Sequence, residues 1–67
     1  MMDMKLTYKD TGGYQTSIVI EDNWHETWPI VMDVEDSLSE TTVEFTVDLA
    51  KQLIRMLQKA VDFYEGE

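Results

Sequence analysis

Apolar and polar residues alternate along the first two thirds of the chain, in four short segments. The segments are residues 4–8, 14–21, 30–35 and 42–45. Each follows the period of two that is typical of a strand with one buried face. Mostly polar residues separate the segments, and Gly12 and Gly13 suit a tight hairpin turn. The pattern predicts an antiparallel meander.

After the fourth segment the period becomes that of an α-helix. Apolar residues recur at intervals of three and four from Leu49 to Tyr64. Thr46 is placed to cap the helix N-terminus, and Gly66 stands where a helix is expected to end. The sequence therefore predicts a single α+β domain over residues 1–67. Its four-stranded antiparallel sheet, in ββββα order, carries one C-terminal helix packed on one face.

Alternation also assigns the strand residues to two faces. The face expected beneath the helix carries the large apolar side chains Leu6, Ile18, Ile20, Ile30, Met32, Val34, Val43 and Phe45. The other face carries Glu21, Asp33, Glu35 and Glu44, interrupted by Val19, Val31 and threonines. Outward residues on one strand lie about 6.8 Å apart. The exposed face is thus expected to be acidic with a partly apolar centre, and a basic stripe is expected on the outer side of the helix.

The charge of the chain is unusually negative. Fourteen acids stand against five bases, which gives a net charge of −9. Ten of the acids lie between Asp10 and Ala50, a stretch without lysine or arginine. Such a field repels nucleic acid and anionic membranes and attracts basic proteins. Solubility alone also accounts for an acidic surface.

Patterns for catalysis and metal binding are missing or incomplete. His25-Glu26 begins like a zinc-protease motif, but Pro29 stands where that motif needs its second histidine. Residues 33–44 spread oxygen-bearing side chains like an EF-hand loop, yet Leu38 replaces the glycine of its sharp turn. There is no cysteine for a disulfide or thiolate site, and no apolar run of about 18 residues that would span a bilayer. We expect no enzyme, no metal, no cofactor, no signal peptide and no membrane segment.

The segment DNWHETWP, residues 22–29, holds both tryptophans of the chain. His25 is expected to be an exposed loop residue. Trp28 has the same parity as Ile30 and is expected to extend the apolar face. Trp24 has two interpretations. It is either a lid over the open end of the core or an exposed interface anchor with a polar rim.

Three features together resemble the small acidic proteins of phages and mobile elements, anti-CRISPR proteins in particular. They are the cysteine-free single domain, the base-free acidic block, and a sheet-plus-helix pattern that ends in TVDLAKQLIRMLQKAVDFYEGE. Within this group, the chain most resembles an inhibitor of type I-C CRISPR systems. The resemblance implies a cytoplasmic protein of the bacterial host cell. It would act as a nucleic-acid mimic that occupies a basic DNA-binding surface of a CRISPR effector complex, without binding nucleic acid directly.

The charge map supplies the candidate partner-binding residues. They are Glu21, Asp22, Trp24, Glu26, Asp33, Glu35, Asp36, Glu40 and Glu44. The partner expected for them is a basic protein surface, and the chain itself is expected to be a monomer or a homodimer. The alternative function is a structural module that forms a homo-oligomer through its outer sheet face, where Val19 and Val31 provide apolar contact.

Overall fold

A computed structural model describes residues 3–66 as a four-stranded sheet followed by one helix. The elements are β1 (Asp3–Lys9), β2 (Gln15–Asp22), β3 (Ile30–Glu35), β4 (Glu40–Phe45) and α1 (Val47–Glu65). The strands lie in the order β1-β2-β3-β4, and each neighbouring pair is antiparallel. The expected α+β meander is confirmed. Strand β4 begins at Glu40, two residues earlier than the alternation indicates.

The β1–β2 turn is held by one carboxylate and one glycine. Asp10 Oδ1 accepts hydrogen bonds from the backbone N–H of Gly12 (2.9 Å) and of Tyr14 (3.0 Å). Gly13 has φ +81°, a conformation that side-chain-bearing residues rarely adopt. The sequence DTGG therefore specifies this turn locally, and the turn fixes the register of the first hairpin.

Helix α1 begins and ends at the residues that the sequence indicates. Thr46 has extended backbone geometry, and its Oγ1 accepts a hydrogen bond of 3.1 Å from the N–H of Leu49. The predicted N-cap is thus confirmed. At the other end, the N–H of Gly66 donates to the carbonyl of Asp62 at 2.7 Å. Gly66 has φ −79°, so the helix stops without a left-handed residue.

The register aligns the predicted apolar side chains in cross-strand rows on one face. One row is Ile20, Met32 and Val43, with Met4 added at its β1 end, and the next is Leu6, Ile18 and Val34, which ends at the polar Thr41. Ile30 and Phe45 pair at the end of the sheet nearest the start of α1. We call this side of the sheet the groove face, because it forms the floor of an apolar groove.

Helix α1 flanks the groove face without closing on it. Between them lies an apolar groove of about 360 Å³, with Ile20 and Met32 on the sheet side and Leu53 and Leu57 on the helix side. Among residues 3–66 only Thr16 is buried, and no residue of α1 is. The closed core that the pattern predicts does not form within one chain. A single helix about 10 Å wide is too narrow to cover four strands spaced about 4.8 Å apart.

Candidate protein-interaction surface

The opposite side of the sheet gathers most of the predicted acidic residues. Its cross-strand rows are Asp3–Glu21–Val31–Glu44, Lys5–Val19–Asp33–Thr42 and Thr7–Ser17–Glu35–Glu40. We call this side the acidic face, after its six carboxylates. The predicted residues Glu21, Asp33, Glu35, Glu40 and Glu44 all lie on it, and Val19 and Val31 occupy its half-buried centre.

Two cross-strand pairs on the acidic face join like charges. Asp3 stands directly opposite Glu21, and Glu35 stands directly opposite Glu40. All four residues are exposed. Side chains at such positions have Cβ atoms about 5 Å apart, and like charges there destabilise a sheet. The arrangement therefore concentrates negative charge at the expense of stability.

The β1 side of this face is less acidic than the rest. Lys5 and Lys9 have the same strand parity as Asp3 and therefore share the acidic face with it. Lys5 and Glu35 line one shallow depression of about 280 Å³. Sequence reasoning did not assign Asp3 or Lys5 to the site. The alternation of residues 4–8 already places Lys5 on the polar face of β1. Extending it by one residue toward the N-terminus places Asp3 on the same face.

The loop between β2 and β3 is closed by Asn23. Its backbone N–H donates to the carbonyl of Pro29 at 2.9 Å, and its Nδ2 donates to the carbonyl of Trp28 at 2.8 Å. The same Nδ2 also donates to Oε2 of Glu44. These contacts join the loop to one corner of the acidic face. Asn23 was missed by sequence reasoning, because its bond to Glu44 joins residues 21 positions apart.

The loop presents Trp24 to solvent. This side chain is 91% exposed, so it is not a lid over a core. Trp28 is 37% exposed, and most of its surface is covered. His25 is exposed, as expected, and its Nδ1 accepts the N–H groups of Thr27 (3.2 Å) and Trp28 (3.3 Å). The histidine therefore shapes the turn that holds Trp24 outward.

Three further predicted residues lie off the acidic face. Asp22 pairs with Ile30, in the row that continues to Phe45, so it lies on the groove face instead. A single step along the strand separates it from Glu21, and each step reverses the direction of the side chain. Glu26 is in the β2–β3 loop, outside the sheet.

Asp36 lies in the β3–β4 turn and has a structural role there. Its Oδ1 accepts the backbone N–H groups of Leu38 (2.7 Å) and Ser39 (2.8 Å). Because these bonds favour the charged form, they lower the pKa of the Asp36 carboxyl from its usual value of 3.8. This carboxylate stabilises a turn and is not freely presented to a partner.

The described residues contain neither a metal-ligand cluster nor a membrane-crossing helix. Among residues 3–66 no three histidine, aspartate or glutamate side chains are grouped so as to hold a metal ion. The EF-hand-like window 33–44 is a β-hairpin in which Thr41 opposes Val34 on the groove face, away from Asp33. Within the same span no helix has the length and apolar character that a bilayer crossing requires.

Comparison of the chain with protein-family models, with curated proteins and with solved structures finds no match. The features that bear on function are therefore the two surfaces of the chain: the acidic face with its exposed tryptophan, and the uncovered groove face.

Proposed function

We propose that this chain is a non-catalytic inhibitor that binds a basic protein surface in place of nucleic acid. The observation that carries the proposal is the acidic face. Six carboxylates lie on one side of the sheet, and two of their cross-strand pairs oppose like charges. Solubility requires only that acids be exposed somewhere on the surface. Placing them opposite one another lowers stability, which favours a functional reason for the arrangement.

The carboxylates are suited to replace phosphates because strands hold them in fixed positions. A basic channel gains affinity for nucleic acid by releasing counterions from phosphates. A sheet that already fixes its carboxylates loses little conformational entropy when it enters such a channel. Opposite fields also accelerate the encounter, and salt weakens this effect.

Trp24 provides a second type of contact beside the acidic face. Its side chain is almost fully exposed, and the Asn23 bond to Glu44 fixes its loop at the corner of that face. A tryptophan surrounded by polar groups is a frequent energetic centre of protein interfaces. In this proposal the carboxylates orient the partner, and Trp24 fills an apolar pocket on it.

The target class follows from the resemblance to anti-CRISPR proteins. We propose a CRISPR effector complex, of type I-C in the first instance, whose basic DNA-binding surface the acidic face would occupy. The chain then acts in the bacterial cytoplasm without contacting DNA.

The test is a competition assay with purified type I-C effector complex, its guide RNA and a labelled target duplex. The wild-type chain is expected to displace the duplex, and the displacement should weaken as salt is raised, because the Debye length falls to about 8 Å at physiological strength. A complex that binds its duplex equally well with and without the chain would refute this target.

Charge-reversal variants locate the surface responsible. Glu21→Lys combined with Glu35→Lys changes the net charge from −9 to −5, since each reversal adds two units. Asp62→Lys combined with Glu65→Lys makes the same change on α1. The first pair is expected to reduce inhibition at least tenfold, because two carboxylates whose exposed ion pairs are worth about 0–1 kcal/mol each become repulsive. The second pair of reversals should leave most of the inhibition intact. Equal losses in both variants would show that only net charge matters.

A further inference from the structure

We propose that this chain forms a homodimer through its groove face, with α1 of each copy lying against the part of the other copy's sheet that its own helix leaves uncovered. The occupant of the groove is thus a second copy of this chain.

The surface area is too large for a compact monomer. The chain exposes 5758 Å², whereas a compact protein of its mass exposes about 4,400 Å². Its radius of gyration is 13.9 Å, against about 11 Å for a compact chain of this length. The excess of about 1,400 Å² matches what one protomer contributes to an obligate homodimer, whose total interface is about 2,000–5,000 Å².

The uncovered area lies at the β1 side of the groove face. Helix α1 approaches the sheet most closely at β4, the strand that leads into it. On β1, Met4 and Leu6 are 53% and 59% exposed, and they line a second apolar depression of about 210 Å³. Four strands at about 4.8 Å spacing need two helices of about 10 Å width to cover them. One chain supplies one helix, and a second copy supplies the other.

The apolar surface of α1 is also wider than its own sheet requires. At 100° per residue its apolar side chains span about 200° of the helix circumference, twice the stripe of an ordinary surface helix. Leu53, Ile54 and Leu57 border the groove. Met56 and Phe63 lie on the other flank of the arc and are 66% and 65% exposed. A helix that packs against one sheet buries only one flank of its apolar arc. A helix that lies between two sheets buries both flanks.

Charge favours the groove face over the acidic face as the site of self-association. In a two-fold dimer the same patch meets itself. Contact through the acidic face would therefore bring together two faces that each carry six carboxylates and only two lysines. The groove contains no charged side chain on its walls, and Asp22 is the one charged strand residue with groove-face parity. The basic stripe of Lys51, Arg55 and Lys59 lies outside the apolar arc and stays in solvent.

The first test is the mass of the wild-type chain in solution, by light scattering and sedimentation from sub-micromolar to near-millimolar concentration. We expect twice 7.8 kDa over the upper part of the range. The Tm is expected to rise with protein concentration, as it does when association stabilises the folded state. A monomer throughout the range, with a constant Tm, would overturn the proposal even if the groove bound some other molecule.

Two matched pairs of variants locate the interface. Leu6→Glu places a charge in the groove face, and Thr7→Glu places one on the acidic face at the next position. Met56→Glu and Arg55→Glu make the same comparison on α1, because Arg55 lies in the middle of the polar side of the helix and is exposed. The first member of each pair should raise the dimer dissociation constant at least about 100-fold, because two-fold symmetry buries two unpaired charges. The second members should remain dimeric.

The variant results are read at a concentration where both controls are folded dimers. A chain that becomes monomeric, or that unfolds there and recovers at higher concentration, supports the proposal, since Leu6 and Met56 are exposed in a single chain. A dimer that survives both Leu6→Glu and Met56→Glu would overturn it.

Discussion

Reversing one charge in the Glu35–Glu40 pair is expected to stabilise the protein. The two residues are direct partners in the register of β3 and β4, and both are exposed. Two charges about 6 Å apart in water interact by about 0.7 kcal/mol, and screening at physiological salt halves this value. Glu40→Lys turns the repulsion into an attraction of the same size. The free energy of unfolding should then rise by about 0.6 kcal/mol at physiological salt and about 1.4 kcal/mol at low salt, or a few degrees in Tm.

A double-mutant cycle separates this pair from the general effect of net charge. Urea unfolding is measured for wild type, Glu35→Lys, Glu40→Lys and the double variant, at one protein concentration. The double variant restores a like-charge pair, so its stability should fall well below the sum of the two single effects. Glu26→Lys makes the same single charge change in the β2–β3 loop, outside the strand pairing, and serves as the control. Strictly additive effects would show that the two carboxylates do not interact, and that the like-charge pairing does not favour a functional role for the acidic face.

Three further substitutions test local features of the structure. Thr46→Ala removes the N-cap of α1 and should lower the free energy of unfolding by about 1 kcal/mol, measured by urea titration, with Thr46→Ser as the near-neutral comparison. Asp36→Asn tests the β3–β4 turn. Because the folded pKa of Asp36 lies below 3.8, the stabilisation by its charge is present above that pH and is lost as the pH falls through the folded pKa. Wild type and Asp36→Asn should therefore differ in stability at neutral pH and converge in acid. Trp24→Ala should leave the Tm unchanged and weaken binding to the proposed effector complex by at least about 2 kcal/mol; a lower Tm with unchanged binding would mean that Trp24 serves the fold.

The secondary structure could be predicted from the sequence because each element depends on local patterns. Alternation in residues 30–35 places Met32 and Val34 on one face and Asp33 on the other, and the register agrees. Thr46 is recognisable as an N-cap because its hydroxyl reaches an N–H only three residues ahead.

The distance between helix and sheet could not be predicted in this way. The helical period shows that Leu53 and Leu57 share a face, but it does not show what covers that face. Leu57 is 59% exposed, although its pattern is that of a core residue. A pattern of apolar residues is the same whether the covering surface belongs to the same chain or to another copy. The hydrogen bond between Asn23 and Glu44 could not be predicted either, because it joins residues far apart in sequence.

Dimerisation and partner binding are expected to respond differently to salt. Both proposals can therefore be tested in one sample. A dimer formed through the groove face leaves both acidic faces outward, so dimerisation and inhibition do not compete for the same surface. Burial of apolar side chains such as Leu6 and Met56 is little affected by moderate salt and is strengthened by sulfate. Binding of a basic partner through Glu21 and Glu35 is screened by the same salt. A chain that stays dimeric while it releases its partner, as the ionic strength is raised, uses one face of its sheet for assembly and the other for recognition.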